Sequence, residues 1–201
     1  MKTDLKKQFK DLYLPSAKKP SIVDVPSFNF VMIDGAGDPN TSKEYQAALE
    51  ALYGVSFTVK FMLKKEVGAD FAVMPLEGQW WTPGQATIDL SNKSKWQWTS
   101  MILQPEPVTK IWIGKAIEEL RKKRNPSALS KVRFETFHEG LSVQIMYVGP
   151  YAAEGPTIEN LHTFAKESAY RLRGKHHEIY LSDPRRTAPE KLKTVIRQPV
   201  E

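Results

Sequence analysis

The run His176-His177-Glu178-Ile179-Tyr180-Leu181-Ser182-Asp183-Pro184 sets a carboxylate in the middle of a segment that alternates like a β-strand. Successive strand side chains point to opposite faces, so Glu178 and Tyr180 share one face while His177, Ile179 and Leu181 share the other. On an outward face the acid is ordinary surface, paired with Lys175 or Arg186 for about 0–1 kcal/mol. On a face that looks into a cavity it loses water and its pKa rises. It then becomes a general base or a receptor for a cation.

Other chemistries find little support. Adjacent histidines on a strand diverge, His138 and His162 stand alone, and no second cluster of His, Asp or Glu completes a metal site. Cysteine is absent, which removes thiolate nucleophiles and disulfide staples. Asp34-Gly35-Ala36-Gly37-Asp38-Pro39 matches neither a P-loop nor a dinucleotide fingerprint and reads as a turn. There is no Gly-x-Ser-x-Gly elbow. Glu77 and Asp183 read as turn residues closing their strands.

The elements that must position Glu178 occur twice. A strand over 28–33 runs into a turn-rich loop. A helix capped by Thr41 or Ser42 follows, with Tyr45, Ala48, Leu49, Leu52 and Tyr53 on its apolar stripe. A strand over 71–76 then ends in Glu77-Gly78. The order recurs as a strand over 142–148, a Gly/Pro loop 149–156, a helix over 157–169 and a strand over 177–181. Strands over 96–103 and 193–198 complete the two units. A helix over 109–123, bracketed by Pro105, Pro107 and Pro126, lies between them. A short helix is expected over 4–14, with 15–26 extended over the surface. The pattern predicts an α+β fold of two β-α-β-β modules: 20–103, an insert 104–130, and 131–201. Antiparallel sheet carries helices on one side, and a ligand groove lies at the seam.

With 201 residues, 41% hydrophobic and 26% charged, the chain is expected to fold around one sizeable core or two small ones. No apolar run approaches the roughly 20 residues of a membrane span, and the first residues lack a signal-peptide core, so a cytoplasmic protein is expected. The net charge of +6 raises nucleic acid as a partner, but the basic residues are scattered and no nucleic-acid-reading motif accompanies them.

Several stretches resemble the stand-alone GyrI-like small-molecule-binding proteins. In the second half these are Glu139-Gly140-Leu141-Ser142-Val143-Gln144-Ile145, Gly149-Pro150-Tyr151 with Glu154, 175–186, 189–194 and 197–200. In the first half they are Pro75-Leu76-Glu77-Gly78, Trp80-Trp81 and 96–102. The resemblance implies two β-α-β-β modules in pseudo-two-fold arrangement with the ligand between them. Relatives act as effector-binding halves of multidrug-sensing activators, but no helix-turn-helix precedes the module here, so activation by the same polypeptide is not expected. Some stand-alone members are similar to cyclopropanoid hydrolases, which open the strained ring of DNA-alkylating compounds of the yatakemycin and duocarmycin type. The family's pocket acid falls on Glu178 and its strand tyrosine on Tyr180.

That implied chemistry assigns Glu178 as base, worth about 10² to 10⁴ in rate, with Tyr180 or Tyr147 orienting water or ligand. Trp80, Trp81, Trp98 and Met101 are the expected walls for a flat guest, each aromatic worth roughly 0.5–1.5 kcal/mol beyond burial. Tyr151 and Glu154 belong to the groove mouth, where Glu154 either caps the next helix or shields the groove. No metal or cofactor is required. The alternative is a non-catalytic sink or sensor in which Glu178 neutralises a cationic aromatic drug. The oligomeric state is open, a homodimer included, and a gyrase partner rests on the family name alone.

Overall fold

The computed structural model describes residues 2–201. Two short helices, α1 (Leu5–Gln8) and α2 (Lys10–Tyr13), precede strand β1 (Ser21–Ala36), helix α3 (Lys43–Val67) and strands β2 (Leu76–Trp81) and β3 (Gln97–Gln104). After helix α4 (Lys110–Lys123) the same order returns as β4 (Arg133–Val148), α5 (Gly155–Glu167), β5 (His176–Tyr180) and β6 (Lys193–Pro199). The strands close into an antiparallel barrel in the order β1-β3-β2-β5-β6-β4. The two repeats therefore meet along two seams, β1 with β4 and β2 with β5.

Local sequence accounts for the helices. Ser42 accepts the Tyr45 N–H at 3.1 Å to start α3, and Gly68 ends it in the left-handed conformation at φ 72°, as capping preferences require. Ala48, Ala51, Leu52, Val55, Val59 and Leu63 form its buried stripe, and each larger side chain there contributes about 1.5–3 kcal/mol. Gly54 lets α4 come close, since a Cβ there would lie 2.7 Å from Leu120 Cδ2. On α5 the buried residues are Ile158, Leu161 and Ala165.

Strand alternation divides the barrel into an outer and an inner face. The register places Leu76, Gly78 and Trp80 beside Tyr180, Glu178 and His176, and Trp98 and Ser100 on the far side of β2. These share the face that the helices cover. Helix α3 lies over β1 and β3, and α5 packs on Val143, Ile145 and Ile196 of β4 and β6. The β2–β5 seam lies between the two helices.

The inner face is unusually polar. His177 Nδ1 lies 2.8 Å from Glu139 Oε1, and His177 Nε2 lies 3.1 Å from Glu77 Oε2, close enough for charge attraction though not aligned as a hydrogen bond. Arg197 donates to Glu139 Oε2 at 2.9 Å, to Gln144 at 3.0 Å and to the Leu12 carbonyl at 2.8 Å. The Tyr13 hydroxyl donates to Glu77 at 2.9 Å. The N-terminal arm is thus bound to the barrel interior by charge-assisted bonds.

Three expectations are corrected. The strand placed over 71–76 is displaced to Leu76–Trp81, and Phe71 and Met74 instead fill the core below α3. Glu77 is no turn residue: it is 1% exposed inside that strand. The segment 15–26, expected to run extended over the surface, already enters β1 at Ser21, because both β1 and β4 are 16 residues long and pair along most of their length.

Candidate functional site

Glu178 stands on the outer face of β5 and is 8% exposed. Its two oxygens are held separately: Oε1 lies 3.0 Å from His176 Nε2, and Oε2 accepts the Tyr180 hydroxyl at 2.7 Å. Tyr180 Oη accepts the Trp80 indole N–H at 3.0 Å. Burial alone raises the Glu178 pKa, but the His176 ring and the Tyr180 hydroxyl outweigh it and hold the carboxyl below its ordinary value. Glu178 is therefore ionised at neutral pH.

Glu154 reaches the same spot from the start of α5. It occupies the N-cap position without capping through its side chain, which turns inward and is 4% exposed. Burial first, and then the Glu178 charge, push Glu154 up to about 9, and its Oε1 is buried with no hydrogen-bond partner among the described residues. Two carboxyls on different elements thus share one proton, because like charges in a dry site cannot both ionise.

Aromatic rings surround the pair. Tyr45 of α3 packs on Trp80 and Trp98 with centroids 5.6 and 5.1 Å away, and Trp96 meets Trp80 at 5.4 Å. Tyr151 meets Tyr180 edge-on at 5.6 Å. Burial, with the charges of Glu154 and Glu178, pushes the Tyr151 hydroxyl up to about 12. Residues 82–96 border the site. The Trp96 indole donates to the Asp89 carbonyl at 2.6 Å, and the Lys93 charge acts on both carboxyls. The Ser100 and Thr194 hydroxyls and His176 Nδ1 are buried here with no hydrogen-bond partner among the described residues. Buried polar atoms of that kind are costly unless water or a guest satisfies them.

Of the residues expected from sequence, Glu178, Tyr180, Glu154, Tyr151 and Trp80 come together. Trp98 is fully buried and backs the Tyr45 wall instead of facing a guest; Gly35 makes room for it, since a Cβ there would lie 2.2 Å from Trp98 Cζ2. Met101 and Trp81 fall on the opposite face by alternation, Met101 inside the barrel at 0% exposure and Trp81 at the barrel mouth. Tyr147 donates to the Pro150 carbonyl at 2.9 Å, so its hydroxyl anchors the loop that carries Tyr151 and Glu154. His176 was missed, although the alternation that joins Glu178 to Tyr180 also includes it. Tyr45 read as part of an apolar stripe, and nothing local marks it as a wall.

A model of the GyrI-like small molecule binding domain matches residues 18–201. Two solved structures from Listeria innocua resemble the whole chain, with 100% of each chain covered in both comparisons. One, described as an uncharacterized conserved protein, is 42% identical with a TM-score of 0.92. The other, described as a hydrolase, is 40% identical with a TM-score of 0.87. The EcmrR C-terminal domain, 10% identical with a TM-score of 0.55 over 91% of this chain and 97% of that one, shares the fold. No match was found among curated proteins.

Proposed function

This chain belongs to the GyrI-like small-molecule-binding family, and from that premise we propose that its groove takes flat aromatic guests and hydrolyses those carrying an activated cyclopropane, the yatakemycin and duocarmycin type. The observation that carries the reading is the burial of two carboxyls, Glu178 and Glu154, beside the Tyr151 and Tyr180 rings, with Glu178 pushed below and Glu154 above the ordinary carboxyl range. Carboxyls whose environments push their pKa values apart divide the roles of base and acid. The likeness to a 40% identical structure described as a hydrolase supports the same reading.

In the proposed reaction, water held by Glu178 attacks the unsubstituted cyclopropane carbon and Glu178 takes its proton. A carbon–oxygen bond forms as the strained carbon–carbon bond breaks. The released electron pair flows through the conjugated ring to the carbonyl oxygen, which Glu154 protonates to give a phenol. Glu178 then carries a proton and Glu154 does not. Transfer of that proton from Glu178 to Glu154 through water resets the site. General-base action of this kind contributes about 10² to 10⁴ in rate, and ring strain supplies much of the rest.

Glu178→Gln should bind a yatakemycin-type compound with near wild-type affinity and fail to turn it over. Equal turnover by variant and wild type defeats the catalytic claim. A second reading, a sink for cationic aromatics, is favoured by the ionised carboxylate beneath stacked rings. Loss of cationic-dye binding in Glu178→Gln, with no product by mass spectrometry from wild type, selects the sink.

A further inference from the structure

One stripe of α3, from Ala48 to Leu63, is buried on the barrel, and the stripe opposite it is aromatic where a helix facing solvent is ordinarily polar. Tyr53, Phe57 and Phe61 stand there at intervals of four residues, 36%, 44% and 59% exposed. Their rings form a stacked ladder, with successive centroids 6.4 Å apart and interplanar angles of 26° and 24°. A side chain of this kind carries roughly 150–250 Å², so the ladder leaves on the order of 300 Å² of aromatic surface in water, a size at which a patch on a monomer is often functional. We propose that this face of α3 pairs antiparallel with the same face of a second copy of the chain, about a two-fold axis at Phe57.

The order of side chains along the helix identifies the partner. A two-fold interface sets residue i against j and j against i, so a face that pairs with itself must be complementary when reversed about one residue. Reversal about Phe57 sets Tyr53 against the partner's Phe61 and Phe57 against its own counterpart. Glu50 and Lys64 lie one heptad to either side of Phe57, on the same face of the helix. Each Glu50 then meets the partner's Lys64, giving two ion pairs that flank the aromatic centre. A parallel pairing would set Glu50 against Glu50 and Lys64 against Lys64.

Those charges are available. Glu50 is exposed and forms no ion pair among the described residues. Lys64 is 57% exposed and shares Asp70 with Lys60, at 3.0 and 2.6 Å, so two ammoniums stand against one carboxylate at that end of the helix. Aromatic residues at the centre with charge at the rim are the usual make-up of a protein interface. Stable complexes bury about 800 Å² per partner, and the ladder supplies less than half of that. The dimer is therefore reversible and forms in the micromolar range.

Sedimentation equilibrium of the full chain across that range should show a monomer–dimer equilibrium. Phe57→Glu places two carboxylates at the axis and should weaken association at least about tenfold, since like charges in contact cost several kcal/mol. Cross-linking reads the register. The chain has no cysteine, so under mild oxidation an equimolar mixture of Glu50→Cys and Lys64→Cys proteins should form a disulfide-linked pair, and neither variant alone should. The proposal is overturned by a chain that stays monomeric throughout, by a dimer that Phe57→Glu leaves intact, or by a variant that cross-links with itself as readily as with the other. The cross-linking leaves the ladder unchanged and stands even if Phe57→Glu fails to fold.

Discussion

The Trp80 indole donates to the Tyr180 hydroxyl at 3.0 Å, and that hydroxyl donates onward to Glu178 at 2.7 Å. The indole can take this position because Gly78 has no side chain: a Cβ there would lie 2.7 Å from Trp80 Nε1. A donor chain that ends on a carboxylate polarises each of its links. With His176, it offsets the upward push of burial on the Glu178 pKa.

Tyr180→Phe breaks that chain at its centre. Glu178 loses one of the two contacts that hold its pKa down, so its pKa rises. The acidic limb of the pH–rate profile for cyclopropanoid hydrolysis should move to higher pH. The Trp80 N–H is left buried without a partner, and unfolding in urea should show a loss of about 1–3 kcal/mol. A profile superimposable on wild type would count against the assignment of Glu178 as base.

Glu154 gives a pH signature of its own. Its folded-state pKa of about 9 lies above the ordinary 4.5, so the folded protein holds a proton that the unfolded chain has released. Stability from this group is fully present below about 4.5 and is lost as pH rises through about 9. Glu154→Gln cannot ionise. Its stability relative to wild type should therefore increase steadily across that window in urea titrations at successive pH values. Hydrolysis should fall in the variant, which has no acid to deliver the proton.

Much of this arrangement was legible from residue order. Alternation places Glu178 with Tyr180, the repeated strand-loop-helix-strand pattern gives the element order, and Thr41-Ser42 marks the start of α3. What alternation cannot supply is which face turns toward the helices. Trp81 and Met101 were assigned to the walls for that reason, and both lie on the inner face. Barrel closure hides a second signal. Glu77, His177 and Arg197 look like solvent-facing residues in sequence, but they are linked through Glu139 in the interior, so Glu77 reads as a turn residue instead of part of a strand. The partners that make such residues tolerable, Glu139 and the N-terminal arm, are distant in sequence.

Gly35 offers a test of packing at the rear of the groove. Trp98 is 0% exposed and its ring occupies the space over Gly35, where an added Cβ would lie 2.2 Å from Cζ2. A fully buried indole between Tyr45 and the barrel cannot swing aside cheaply. Gly35→Ala should cost about 1–3 kcal/mol, the usual range for overpacking. Displacement of Tyr45 should also reduce affinity for aromatic guests. Thermal unfolding and a dye titration measure the two effects separately.

The interior charge network predicts how the N-terminal arm is held. Burial disfavours a charged His177, but Glu139 and Glu77 overcome it and raise His177 from 6.5 to about 9. Its contribution to stability is complete below about 6.5 and disappears as pH rises through about 9. Glu139 moves the other way. Burial opposes its charge, yet His177 and Arg197 pull it down to about 2 from 4.5, so its contribution holds above about 4.5 and is lost as pH falls through about 2. Glu139→Gln strands the buried Arg197 and His177 charges without their carboxylate, and at neutral pH it should cost about 3–5 kcal/mol. The gap between wild type and variant should narrow above about pH 9, where His177 no longer needs the carboxylate. Arg197 also donates to the Leu12 carbonyl, so disturbing Arg197 should loosen the arm ahead of the barrel. Hydrogen exchange at the Leu12 and Tyr13 amides, faster in Glu139→Gln while the β2 amides stay protected, is the expected result; uniform acceleration across all strands would show that the arm is not specifically tethered through this network.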